Sequence, residues 1–172
     1  ECSSYGIGND LRSLSESRKS KRKICSDTMN QGGLLPDDLI EHRASDQIEL
    51  IGNEYPLFGI GLIRTVSQVA IMMRILHENG FLRPTIIHLR YPIEYCREMR
   101  ELRLAEKGMS RQDSDLATLE ERWRKYYLTE DAILDECRTK GLEIYSIFDY
   151  DKKECLDAYI EDLGLIVPKV LA

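Results

Sequence analysis

Residues 56–92 read PLFGIGLIRTVSQVAIMMRILHENGFLRPTIIHLRYP, and this stretch decides the fold class. It opens and closes with short apolar runs, 56–63 and 85–91, that are typical of buried strands. The segment between them carries an apolar stripe at helical spacing, formed by Val69, Met72, Met73 and Leu76. A strand, a helix and a second strand in this order predict a parallel α/β sheet.

The segments on either side continue the same alternation. A third apolar run predicts a strand over 142–148. Apolar residues at helical spacing predict four further helices, over 36–50, 92–107, 115–140 and 152–163. With 172 residues the chain has the length of one domain, which we assign to 1–172.

Composition argues against several classes of function. The net charge of -6 argues against a nucleic-acid partner, because affinity for phosphate backbones comes mainly from an excess of Lys and Arg. No apolar run approaches the roughly 18 residues that span a bilayer, so we expect no membrane contact. The five cysteines form no CxxC pair and the three histidines are dispersed, so no residue is assigned to a metal. This cysteine usage favours an intracellular protein.

Five motifs occur in an order that resembles one enzyme family. They are GIGNDLR at 6–12, GGLLPD at 32–37, IGLIRT at 60–65 with Gln68 after it, YPIE at 91–94, and Arg111, Asp113, Thr118, Arg122 and Tyr126 at fixed spacing. Together they resemble the adenylate kinase family of nucleoside monophosphate kinases over residues 5–163. The resemblance implies a three-layer fold, a parallel sheet flanked by helices. It also implies a small helical NMP-binding insert at 9–55 and a short lid at 104–113.

The resemblance also assigns roles to individual residues. It places Arg12, Leu35, Arg64 and Gln68 at the monophosphate site, where a guanidinium fork suits phosphate oxygens and Gln68 would read the adenine edge. It places Arg103, Arg111 and Arg122 around the transferred phosphoryl group, whose developing charge they would stabilise. The ordinary alternatives are surface salt bridges, an exposed helical glutamine and a solvated pair of charged helices. The residues themselves leave these alternatives open.

The sequence departs from the family pattern at two places that matter for catalysis. No GxPGxGK phosphate-binding loop, with the strand before it, occurs in these 172 residues, and since they open at Glu1 rather than Met we expect an upstream segment. The acidic residue of the family motif DGFPRT is Ile60 here, which has no oxygen for a hydrated magnesium ion. We therefore expect the donor phosphate and magnesium sites to be lost. With the central first strand missing, 57–63 and 85–91 should either pair directly or accept a strand from elsewhere.

These departures lead to three hypotheses about function. The first is a catalytically inactive adenylate kinase-like domain that needs no cofactor and acts as a structural or interaction module. Its partners would be other protein subunits of a larger assembly such as an axoneme or a mitochondrial complex. The second is a fragment of an active kinase that converts ATP and AMP into two ADP. The third is a sensor that binds a nucleoside monophosphate through Arg12, Arg64 and Gln68 without turnover, so that AMP or ATP binding stays open.

Overall fold

The computed structural model describes residues 3–8, 33–107 and 115–147, except for the side chains of Arg103, Glu106 and Lys107. In these ranges it contains four strands and four helices. In chain order they are β1 (Ser3–Gly6), α1 (Asp37–Ile51), β2 (Leu57–Ile60), α2 (Val66–Glu78), β3 (Thr85–Leu89), α3 (Ile93–Lys107), α4 (Leu116–Thr139) and β4 (Glu143–Ile147). The predicted helices and strands in these ranges are confirmed to within a few residues at each end.

Capping side chains determine where two of the helices begin. The Thr65 hydroxyl accepts a hydrogen bond from Gln68 N at 3.3 Å, which satisfies one free amide at the start of α2. The Asp115 carboxylate accepts bonds from the amides of Ala117 and Thr118, at 3.2 and 2.9 Å, and so starts α4. Gly61, with φ of 63°, turns the chain after β2, which makes that strand shorter than the predicted 56–63.

The four strands form two separate sheets in the described part of the chain. β1 pairs with β2 in parallel, and β3 pairs with β4 in parallel. Here β2 and β3 belong to different sheets, so the first of the two expected outcomes, direct pairing of 57–63 with 85–91, is wrong. The observed architecture is a mixed α/β arrangement with two short parallel sheets and four helices.

Helix α2 packs against both sheets and joins their cores. Met72 and Ile75 lie in the cluster that contains β1, α1 and the partly buried Leu57 of β2. Val69 lies in a second cluster, with residues of α4 and the partly buried Ile86 of β3. The two sheets therefore share α2 as a common support.

Some predicted segments fall outside the described residues. These are the closing helix 152–163, residues 9–32 of the predicted insert and residues 108–113 of the predicted lid. The described start of that lid, residues 104–107, is the last turn of α3. None of the helices in the described ranges is long and apolar enough to cross a membrane.

Candidate functional site

A small cavity lies where β1 and β2 end and α1 and α2 begin. Its lining includes the backbone of Gly33 and Gly61 and three of the residues that the sequence assigned to a monophosphate site, namely Leu35, Arg64 and Gln68. Leu35 is 7% exposed and belongs to the core, so it forms an apolar wall. The cavity measures about 40 Å³. Pockets that bury a small molecule commonly measure about 300–1,000 Å³, so a nucleotide would require this one to open.

Gln68 is held in one orientation by two hydrogen bonds. Its Oε1 accepts from Arg64 N at 2.8 Å, and its Nε2 donates to Asp37 Oδ1 at 2.9 Å. Ser67 Oγ donates to the other oxygen of Asp37, so the start of α1 is tied to the start of α2. Because Gln68 is only 3% exposed, the alternative of an exposed helical glutamine is wrong. An amide has two donor hydrogens and an acceptor oxygen with two lone pairs, so one donor and one lone pair are left for a ligand.

Arg64 follows the turn at Gly61 and lies over that glycine. A methyl group in place of the Gly61 hydrogen would come 3.3 Å from Arg64 Nη2. The residue keeps contact with solvent, but nearby protein atoms partly desolvate its guanidinium. This desolvation, followed by the positive charge of Arg122 on α4, lowers the pKa of Arg64 from its ordinary value. Two guanidinium groups within electrostatic reach of each other favour an anion near both.

The remaining predicted site residues are distributed differently. Arg122 lies on α4, within electrostatic reach of Arg64, as a shared phosphate site would require. Arg103 lies on α3, where its side chain is outside the description. Arg12 and Arg111 lie outside the described residues, as does Asp113.

A comparison with known proteins supports the family resemblance weakly. Over 136 residues the chain is 27% identical to an adenylate kinase of Azobacteroides pseudotrichonymphae genomovar. CFP2. The match covers 78% of this chain and 69% of that protein. The chain is similar to an adenylate kinase. No family model matches it.

At Ile60, where the adenylate kinase family has an acidic residue, the chain does not offer a ligand for magnesium. Ile60 is 42% exposed at the end of β2, and its side chain carries no oxygen. The next side chains, Leu62 and Ile63, pack against the core. Magnesium prefers carboxylate and water oxygens in octahedral geometry. The residues present therefore do not fit the metal that the adenylate kinase family uses at this point.

One buried polar cluster of the adenylate kinase-like chain was missed at the sequence level. Glu130 on α4 is 1% exposed and lies between Arg90 and His88, which flank the end of β3. One signal could have revealed it. Glu130 precedes Ile133, Leu134 and Cys137 at helical spacing, so it falls on the buried stripe of α4. A carboxylate on such a stripe needs a buried cationic partner.

Proposed function

We propose that the chain is an adenylate kinase-like domain that does not transfer phosphoryl groups and serves as an interaction module in a larger protein assembly. The observation that carries the proposal is the division of the strands into two separate parallel sheets. Two-stranded parallel sheets are seldom stable alone, and an open edge accepts a further strand. A partner that contributes one strand between β2 and β3 would complete a five-stranded sheet.

The hydrogen-bond pattern identifies the backbone groups at the open edges. Ser3 N donates to Pro56 O at 2.9 Å. In a parallel ladder, alternate residues bond to alternate sides, so Phe58 faces β1 while Leu57 and Gly59 face away from it. Arg90 N donates to Ile147 O at 3.0 Å, which by the same pattern directs Ile87 away from β4.

The open edges also determine what kind of segment would bind. β2 and β3 run in the same direction as their partners, and α2 supports both from one side. A segment of four or five residues in extended conformation matches the lengths of these strands. Central strands of parallel sheets are apolar on both faces, so we expect an apolar segment without proline.

Hydrogen exchange of single amides tests the open edges. In the isolated chain, the amides of Leu57, Gly59 and Ile87 should exchange faster than those of Phe58 and His88, because only the latter two donate within the ladders. Alternate residues of one strand thus serve as matched controls. Equal protection of Gly59 and Phe58, or of Ile87 and His88, would show that these edges are already paired and would contradict the proposal.

An activity assay tests the absence of phosphoryl transfer. We expect no ADP from ATP and AMP with magnesium, because Ile60 replaces a carboxylate whose stabilisation of the metal contributes several kcal/mol to the transition state. The similar Azobacteroides adenylate kinase, assayed in parallel, is the positive control. Turnover near its rate would favour a fragment of an active kinase instead.

A second candidate function is a sensor for nucleoside monophosphates, which the electrostatic interaction between Arg64 and Arg122 favours. Arg64 and the buried Gln68 line one cavity, and they would suit a phosphate and a base. Calorimetry with AMP should then give binding that Arg64→Met weakens at least tenfold, with Arg74→Met on the exposed face of α2 as the control. AMP binding that is unchanged in Arg64→Met would exclude this site as the sensor.

A further inference from the structure

Glu130 is a carboxylate that the fold has buried beside two basic side chains. Its Oε1 lies 2.9 Å from Arg90 Nε, and its Oε2 lies 3.8 Å from His88 Nε2. The first distance is that of a direct ion pair, and the second is too long for a hydrogen bond. A buried carboxylate is costly unless it is paired, so Arg90 provides the charge that Glu130 requires.

His88 is placed to compete for the same carboxylate. It is 4% exposed on β3, and its Nδ1 lies 3.1 Å from Ser146 Oγ on β4. A protonated imidazole has two donors, so His88 could keep the contact with Ser146 and direct Nε2–H at Glu130. A movement of less than about 1 Å would bring the 3.8 Å separation to hydrogen-bond length.

Arg90 contacts an aromatic ring as well as Glu130. It is 32% exposed, and its guanidinium carbon lies 4.3 Å from the centre of the Tyr127 ring. Tyr127 in turn stacks on Trp123, with ring centres 4.9 Å apart. A guanidinium is stabilised by an aromatic face and by water, so Arg90 can leave Glu130 without becoming buried and unpaired.

We propose that Glu130 exchanges its partner from Arg90 to His88 when His88 gains a proton, and that this exchange releases Arg90 toward the surface beside Tyr127. The device is a proton-triggered switch built into the contact between β3 and α4, and it does not depend on the proposed function.

The groups around His88 define the pH at which the switch operates. Burial is the main cause that lowers the pKa of His88 from 6.5, and Arg90 lowers it further. Glu130 and Asp131 on α4 act in the opposite direction, while Tyr126 on α4 and Ser146 on β4 contribute no charge near neutral pH. Because the folded pKa is lowered, His88 is neutral at pH 7 and the exchange occurs only at a pH below 6.5.

Trp123 provides a built-in probe, since it is the one tryptophan of the 172 residues. Its fluorescence, measured at low concentration between pH 7.5 and pH 5, should change in a single step as Arg90 leaves Glu130 and shifts on the ring of Tyr127. Exchange of the histidine C2 hydrogen, followed by mass spectrometry, gives the pKa of His88 in the unmutated chain. We expect the two midpoints to coincide below 6.5.

Variants separate the exchange from other effects of acid. His88→Gln should abolish the step, whereas His42→Gln and His77→Gln on exposed helix faces should keep it. Arg90→Met should abolish the fluorescence step while His88 still titrates. A step that persists in His88→Gln or Arg90→Met, or unmutated protein in which His88 titrates without a fluorescence change, would overturn the proposal. The last result comes from the unmutated protein, so it tests the proposal even if a variant fails to fold.

Discussion

At the scale of single residues, Gln68 shows how the candidate site is held in shape. Its amide links the turn after β2 to the first residue of α1 through Arg64 N and Asp37. Replacement of Gln68 by methionine keeps the volume but removes both bonds and leaves the partly buried N–H of Arg64 without its acceptor. We expect the free energy of unfolding to fall by about 1–3 kcal/mol in urea denaturation.

The same substitution at Gln47 is the control for that experiment. Gln47 lies on α1 and is only partly buried, so its replacement should change stability by less than about 0.5 kcal/mol. Equal effects at the two positions would mean that the bonds of Gln68 contribute nothing particular to the fold.

The resemblance to the adenylate kinase family, rather than any local pattern, assigned Leu35, Arg64 and Gln68 to one site. These three residues line one cavity, and their role there stays a prediction. The burial of Gln68 could not be predicted, because its partner Asp37 is 31 positions away in the sequence. The partnership of Glu130 with Arg90 and His88 is also long-range, and only packing of α4 on β3 brings these residues together.

At the scale of elements, the start of α4 depends on the hydrogen bonds that its capping residue, Asp115, accepts. Hydrogen bonds from the hydroxyl and amide of Thr118, and then from Ala117 N, lower the pKa of Asp115 from 3.8. The ionised cap therefore contributes stability above the unfolded pKa, and this contribution is lost as the pH falls through the lower folded value. We expect Asp115→Ala to speed hydrogen exchange at Ala117 and Thr118 at pH 7, with an effect that becomes smaller as the pH falls below 3.8.

Asp115→Ser is the matched variant, because serine also accepts bonds from the first turn of a helix. It should restore most of the protection and remove most of the pH dependence. Fast exchange in both variants would show that the charge of Asp115, rather than its capping bonds, orders the start of α4.

Helices and strands were predictable where residues close together in the sequence define them. Apolar spacing and capping residues gave all four described helices, and apolar runs gave β2, β3 and β4. β1 was not predicted, since Ser3–Gly6 contains a single large apolar residue. The assembly of strands into sheets depends on pairing between residues far apart in the sequence. For that reason the sequence analysis kept direct pairing of β2 with β3 as one of two outcomes, and the structure shows that it was wrong.

At the scale of the whole molecule, the open edges of β2 and β3 make a prediction about association. Ile60 is 42% exposed at the end of β2, so among the described residues this edge combines apolar surface with backbone groups that no strand pairs. The isolated 172-residue chain should therefore form larger species as its concentration rises in analytical ultracentrifugation. Ile60→Asp should shift it toward the monomer, because charged side chains discourage pairing of strand edges.

Leu50→Asp separates this edge effect from general solubility. Leu50 is 79% exposed and lies on helix α1 rather than on a strand, so the substitution adds the same charge at an apolar surface position. We expect it to leave the association unchanged. If both variants restore the monomer equally, exposed apolar surface rather than the strand edge drives association. A chain that is monomeric and melts cooperatively without any variant, with fast exchange at Gly59 and Ile87, would show that the two sheets are stable with their edges open to water.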